Sequence, residues 1–398
     1  MDETSSSVDG PLNGVTVLDL STVGPAARCT RLLADYGALV VKVGPVPAAD
    51  AAPIVPPYFA YSGHRGMRRV LVDLKDTEGR EAFLSLAAAA DVVVESFRPG
   101  VVDRLGIGYS AVSARNPGVV YCSTSGYGQS GPAAQWAGHD IDYLAVGGYL
   151  AMSTPGVDGA PPLPGATVAD AAAGGMQAAL AITAALAGRA TTGRGAYLDV
   201  SVAEGVLWLT SLAVDEQLAL GADILPGHDV LSGRYACYGT YRAADGKWLA
   251  VGAIEPKFFA NLCAALGCPE LAASQMDDEA QDGIRAAFAS AFATRTRDEW
   301  VTELGGADTC VAPVLEISEV AGYPQFVARN VVGSASHPTE GALSQLVPLL
   351  AGMERPASEA GAPVPLPDMT QTDTEHLLKE AGVDGETVAR WVARQVVA

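Results

Sequence analysis

The hydrophobic pattern of the first half of the chain alternates between strand-length apolar runs and helically spaced ones. Residues 15–20 (VTVLDL) form a continuous apolar run of strand length, 25–36 carry Leu32 and Leu33 at helical spacing, and 39–43 (LVVKV fragment ending at Val43) supply the next strand. Runs at 70–74, 92–95 and 119–123 continue the series, with a helix over about 78–89 between the first two. Strand, helix, strand in this order predicts an open, parallel, Rossmann-like sheet. No GxGxxG follows the first strand, so the pattern predicts the sheet without the dinucleotide fingerprint.

Further along, Asp170 precedes an Ala-rich helical run to Ala187, and Asp is a favoured N-cap residue, which puts Asp170 at a helix N-terminus. A glycine turn around Arg194 leads into a strand over 196–200, then one long amphipathic helix over 202–220. From Arg234 the texture becomes aromatic, and two strand-like runs at 237–242 and 247–252 flank Asp245-Gly246, a hairpin signal. The chain ends with a Pro-rich stretch over 356–367 and two helical segments, 372–381 and 385–397. The expected organisation is an α/β large domain over 1–200, a linker helix over 201–230, a smaller α+β domain over 231–325, and a C-terminal segment, 326–398, that returns to the large domain.

Composition sharpens this picture. A chain of 398 residues exceeds the usual size of one hydrophobic core, and 49% hydrophobic against 18% charged residues, with 44 glycines, suits packed α/β layers. The formal charge of −20, from 25 basic and 45 acidic residues, argues against nucleic acid as a partner. Local basic groups at Arg65, Arg68, Arg69, Arg98 and Arg104 leave room for a phosphate-bearing ligand. The six cysteines include no CxxC pair, so neither a zinc site nor a disulfide framework is indicated. The acidic, polar N-terminus does not resemble a signal peptide, and no apolar run is read as reaching membrane-spanning length, so the expectation is a cytoplasmic protein without membrane insertion.

The candidate chemistry centres on AGHDIDY at 137–143, where His139 stands between a Gly-rich turn and two carboxylates, with Asp170 downstream. Imidazole titrates near neutrality, so a His/Asp pair can supply base and acid to opposite faces of one carbon. By residue type alone, His139 better suits a turn satisfied by a neighbouring carbonyl, and Asp170 a plain helix cap as readily as a catalytic group.

Several motifs in order decide between these readings. PLNGVTVLDL at 11–20, LADYGALVVKV at 33–43, VDLK at 72–75, FRPG at 97–100 and GYGQSGP at 126–132 resemble the family III CoA-transferases, the group that includes carnitine-CoA transferase, formyl-CoA transferase and α-methylacyl-CoA racemase. The likeness covers most of the chain, thinning over about 46–61 and after about 332. Within the family, AGHDIDY, DAAAGG at 170–175 and VGAIEPKFF at 251–259 are similar to the racemase branch. That resemblance implies His139 and Asp170 as the two catalytic bases and Glu255 as the group that helps hold the histidine.

It also implies an acyl-CoA thioester as substrate, with coenzyme A as part of that substrate, no prosthetic group and no metal. Coenzyme A would lie against Lys42, Gly66, Met67, Arg68, Arg69, Ala90, Arg98 and Arg104, and the thioester end against Ala137, Gly138, Asp140, Ile141 and Asp142. Amides of the helix after Asp170 would meet the enolate oxygen. Family members form interlocked homodimers, so Glu255 would reach His139 from the partner subunit. The sequence departs from the family at residues 25–28, at Gly44, and in the Ala/Pro-rich stretch 48–57 near the cofactor. Three functions follow from these features: racemisation of 2-methyl-branched acyl-CoA thioesters by the His/Asp pair, CoA transfer between carboxylic acids through an anhydride on Asp170, and acyl-CoA binding without catalysis.

Overall fold

The computed structural model describes residues 10–46, 64–353, 363–368 and 370–398, so the altered stretch 48–57 lies outside the described residues. The chain divides into two compact units. The first comprises residues 1–147, 164–211 and 324–398, and the second residues 148–163 and 212–323.

The first unit is built on six parallel strands: β1 (Thr16–Asp19), β2 (Leu39–Gly44), β3 (Met67–Leu71), β4 (Val92–Glu95), β5 (Val120–Ser125) and β6 (Ala196–Ser201). They lie in the order β3-β2-β1-β4-β5-β6, with every neighbouring pair parallel. This doubly wound order reverses between β1 and β4, and ligands of such sheets bind outside the carboxyl ends of the strands at that reversal. The central strands are mostly Val and Leu because both faces are covered, with the buried charges Asp19, Lys42 and Glu95 towards their carboxyl ends.

One face packs Val17, Val40, Val94 and Val120 against Ala26, Cys29 and Leu33 of the helix Gly24–Asp35 and Ala178 and Ile182 of the helix Gln177–Thr192. The other packs Leu18, Val41, Val93 and Tyr121 with Phe83 of the helix Thr77–Ala89 and with Leu378 and Trp391 from the end of the chain. The C-terminal segment is tied to the edge strand β3 as well, where Asp373 N–H donates to Arg69 O at 2.8 Å.

A buried ionic cluster anchors the remaining return segment. Arg31 and Arg65 both pair with Asp35, Arg65 at 2.9 Å, and Arg65 also donates to the carbonyl of Leu346 at 2.9 Å. A shared carboxylate with further hydrogen bonds is what a buried guanidinium pair requires, since removing one partner leaves an uncompensated charge.

The second unit carries β7 (Tyr238–Arg242), β8 (Trp248–Gly252) and β9 (Val311–Pro313) as an antiparallel sheet. The β7–β8 hairpin turns at Gly246, whose φ of 83° is in the left-handed region that favours glycine. Aromatic residues Tyr241, Phe259, Phe288, Phe292 and Trp300 fill its core.

Four details differ from the sequence reading. Strand β3 begins at Met67 rather than Val70, because an edge strand carries polar residues such as Arg68 and Arg69 that mask its apolar pattern. The single helix expected over 202–220 is two, Val202–Leu209 and Ser211–Leu220, broken at Thr210, whose hydroxyl donates to the Gly147 carbonyl at 2.9 Å. Residues 148–163, expected in the large domain, cluster with the second unit. Finally, the helical run Ala169–Thr192 is long and apolar enough by length and composition to cross a membrane, which the sequence reading missed because its Ala and Gly content looks only mildly apolar. In the first unit it covers the sheet with Ala178 and Ile182.

Candidate functional site

The site grows from the loop that leaves the carboxyl end of β5. Two glycines there, Gly126 and Gly138, make room for the ring of Tyr143: a Cβ at Gly126 would stand 2.4 Å from that ring and one at Gly138 2.8 Å from it. The Tyr143 hydroxyl donates to Gly138 O at 2.7 Å, and Tyr127 meets the Tyr143 ring edge-on at 5.3 Å between centroids. Burial, with the nearby carboxylates, pushes the Tyr143 phenol up to about 12, so it acts here as a hydrogen-bond donor rather than an anion. These contacts fix the residue that follows Gly138.

That residue is His139. It has extended backbone and caps the helix Asp140–Val146, with its N–H donated to the Asp142 carboxylate at 2.8 Å. The imidazole is exposed. The next residue links the two expected catalytic motifs: the Asp140 carboxylate accepts the backbone N–H of Asp170 at 2.8 Å. His139, Asp140 and Asp170 are thus brought together in the first unit.

Asp170 is half-buried in a π-helical turn, Ala169–Met176, that runs into the helix Gln177–Thr192. Such turns are uncommon and recur at functional sites. Burial raises the pKa of the Asp170 carboxyl, Asp140 raises it further, and Arg28 and His139 oppose the rise. Two expectations are corrected here. Asp170 is not the cap, because Val168 precedes the turn in helical conformation and Asp170 lies within it. Nor is the first amide after Asp170 open to an enolate oxygen: the N–H of Asp170 goes to Asp140, and that of Ala171 to the Thr167 carbonyl at 3.0 Å.

Sequence reasoning also missed Glu95, which closes β4 beside the strand reversal and is only 1% exposed. Its carboxylate accepts the Phe97 N–H at 2.7 Å, turning the chain into Phe97-Arg98-Pro99-Gly100, and the Pro99 carbonyl accepts Gln135 Nε2 at 3.2 Å from the loop that leads to His139. The available signal was an acid ending the apolar run VVVE. Burial pushes the Glu95 carboxyl up to about 7, against hydrogen bonds from Ser123 and Phe97 that favour its charged form. A carboxyl raised on folding makes the native state bind more protons than the unfolded chain. Its contribution to stability therefore falls as pH rises from the unfolded value through about 7. Glu95→Gln is expected to flatten this loss, seen as a smaller drop in the urea midpoint between acidic and mildly alkaline buffer than the wild type shows.

The residues expected to hold coenzyme A separate into two groups. Arg98 and Arg104 are exposed beyond the carboxyl end of β4, and Gly66 makes a left-handed turn (φ 70°) before β3. Ala137, Ile141 and Asp142 are exposed around His139, and Gly138 and Asp140 are half-buried.

Three others are corrected by their surroundings. Lys42 is buried, with its ammonium paired to Asp19 at 2.7 Å and donated to the Ser21 carbonyl, so its charge is already neutralised within the fold. Met67 belongs to the core under the helix Gly24–Asp35. Ala90 is 3% exposed at the amino end of β4, where its carbonyl accepts Asn116 Nδ2 at 2.7 Å, the opposite end of the sheet from His139 and Arg98. Arg68 and Arg69 also do not form one patch. Alternation along β3 places Arg69 on the face of Met67 and Arg68 on that of Val70.

Glu255 lies in the second unit, exposed, at the residue before the helix Pro256–Ala265. Among the described residues, no group of three or more His, Cys, Asp or Glu side chains is arranged to hold a metal ion.

Known proteins resemble the chain over most of its length. The sequence model of CoA-transferase family III matches residues 12–367. Human alpha-methylacyl-CoA racemase is 38% identical over 322 residues, covering 80% of this chain and 81% of the human protein. Acetyl-CoA:oxalate CoA-transferase of Acetobacter aceti is 32% identical over 344 residues, covering 83% of this chain and 87% of its own. Among solved structures, a CAIB/BAIF family protein from Brucella suis superposes with a TM-score of 0.75 at 26% identity, covering 94% of this chain and all of that one.

Proposed function

The chain belongs to CoA-transferase family III, and from that premise we propose that it racemises 2-methyl-branched acyl-CoA thioesters by removing and returning the α-proton. The observation that carries this reading is the join between His139 and Asp170: the residue after the histidine accepts the peptide N–H of the aspartate at 2.8 Å. An imidazole beside a carboxyl whose pKa is raised by burial and by Asp140 gives the site two groups that can exchange a proton with a substrate.

In one direction His139 takes the α-proton, the electron pair of the C–H bond passes into the thioester to give an enolate, and the protonated Asp170 returns a proton to the opposite face. In the other direction the roles exchange. The planar intermediate retains no stereochemistry, so both enantiomers should reach the same mixture without any acceptor acid. Chiral separation of the product from each pure enantiomer tests this, and an enantiomer that remains pure contradicts it.

A second reading follows from the transferase relatives. Asp170 would attack the thioester carbonyl and expel the CoA thiolate to give a mixed anhydride; the thiolate would then attack the aspartyl carbonyl and release the donor acid, and an acceptor carboxylate would run the same two steps in reverse, leaving as its CoA thioester and freeing Asp170. That enzyme would require an acceptor and would be trapped at Asp170 by hydroxylamine.

We place Glu255 in the same site as the group that orients His139, supplied by the partner of a homodimer. In the first unit, Leu180 and Trp208 are 69% and 77% exposed, apolar surface of the kind that a second copy would cover. Mixed dimers purified after co-expression of His139→Ala with Glu255→Gln are expected to regain roughly half of the wild-type activity. One of the two sites in such a dimer holds both wild-type residues when the site is shared between subunits. Mixed dimers as inactive as either parent would contradict the shared site.

A further inference from the structure

The first turn of the helix Gly24–Asp35 lies against the Asp170 turn with no side chain between them. A Cβ at Gly174 would stand 2.5 Å from Pro25 Cβ, and one at Gly175 would stand 2.9 Å from Arg28 Cβ and 3.0 Å from the Asp170 carbonyl oxygen. Two consecutive glycines are therefore what allows Arg28 to reach this turn. Its guanidinium donates to the hydroxyl of Thr167 at 2.5 Å, and the Thr167 carbonyl in turn accepts the N–H of Ala171. Arg28 is thus held by a residue whose backbone brackets Asp170.

The charges around Asp170 explain what a cation would do there. From the helix Asp140–Val146 and its cap come His139, Asp140 and the phenol of Tyr143. Asp140 is a carboxylate hydrogen-bonded to the Asp170 peptide, so without a counter-charge two acids share one small space. The helix Val202–Leu209 meets the same turn through Val202 and Gly205, with no charge at those contacts. Among these neighbours Arg28 carries the permanent positive charge and, together with His139, it lowers the Asp170 carboxyl against burial.

We propose that Arg28 is a positioning residue acting through Asp170. Held by Thr167, it supplies the charge that lets Asp170 serve as a carboxylate base beside Asp140. The assignment deepens the proton-transfer reading and rests on it for its catalytic consequence, while its electrostatic content concerns Asp170 alone. Arg28→Lys keeps the charge, Arg28→Gln removes it, and Thr167→Val removes the tether.

Two measurements separate the parts. The first is the pH dependence of kcat/KM for α-proton exchange. In Arg28→Gln the acidic limb should move up by about one pH unit, with the rate approaching wild type at higher pH, and Arg28→Lys should return the limb. A structural loss would instead lower the profile evenly. The second is an infrared titration of the Asp170 carboxyl stretch, assigned by its absence in Asp170→Asn, which needs no activity. The Asp170 band should titrate at higher pH in Arg28→Gln than in wild type and Arg28→Lys, with Thr167→Val between. An unchanged band overturns the assignment of Arg28 whether or not the wild type exchanges protons. A shifted band in a wild type that exchanges no α-proton leaves Arg28 standing and sinks the racemase reading instead.

Discussion

Asp170→Asn is expected to lower racemisation by about 10²–10⁴-fold, the range for losing a positioned general acid or base, while leaving the fold intact. The hydrogen bond that places this residue uses its backbone N–H, which asparagine keeps. The carboxylate, by contrast, is held against burial and against Asp140, so the neutral amide should melt at the same temperature as the wild type or higher. Circular dichroism melting and chiral product analysis on one preparation check both halves. An active Asp170→Asn enzyme would remove Asp170 from either chemistry considered above.

His139→Ala should cost racemisation by a similar factor, about 10²–10⁴-fold, but with a different residue of activity. Each base serves one face of the α-carbon. The histidine variant should therefore still wash the proton out of the enantiomer that faces Asp170, and Asp170→Asn out of the other. Opposite enantiomer preferences of the two variants in deuterated water are the signature of two bases. The substitution leaves the local structure largely supported, because Asp142 caps through the His139 N–H and Tyr143 holds the preceding Gly138 carbonyl. If His139→Ala racemises as fast as wild type, the histidine is only a turn residue.

Much of the fold was legible because periodicity reports burial. Strand β4 is read at its observed bounds, and the six-stranded parallel sheet follows from apolar runs that need cover on both faces. The glycine turn before His139 was visible as composition, though not its cause, the Tyr143 ring seated against Gly126 and Gly138. What escaped the sequence depended on partners distant along the chain. Lys42 reads as a phosphate ligand until Asp19 is found beside it, and Arg65 as an open basic residue until Asp35 and the Leu346 carbonyl are found to hold it. The resemblance put Ala90 against coenzyme A, but the parallel register shows that it lies at the amino end of β4, away from the site. The π-turn at Asp170 has the composition of an ordinary Ala-rich helix, and its consequence for the amide donors appears only in the hydrogen bonds.

The central claim is that this site moves a proton on carbon, and solvent deuterium reads that event directly. The enzyme is incubated in deuterated water with one enantiomer of a 2-methyl-branched acyl-CoA and no free carboxylic acid, and the recovered thioester is examined by mass spectrometry and chiral separation. The account predicts deuterium at the α-carbon together with loss of optical purity. Recovery of undeuterated, optically pure thioester, with turnover appearing only once an acceptor acid is added and stopping when hydroxylamine traps Asp170, would contradict it.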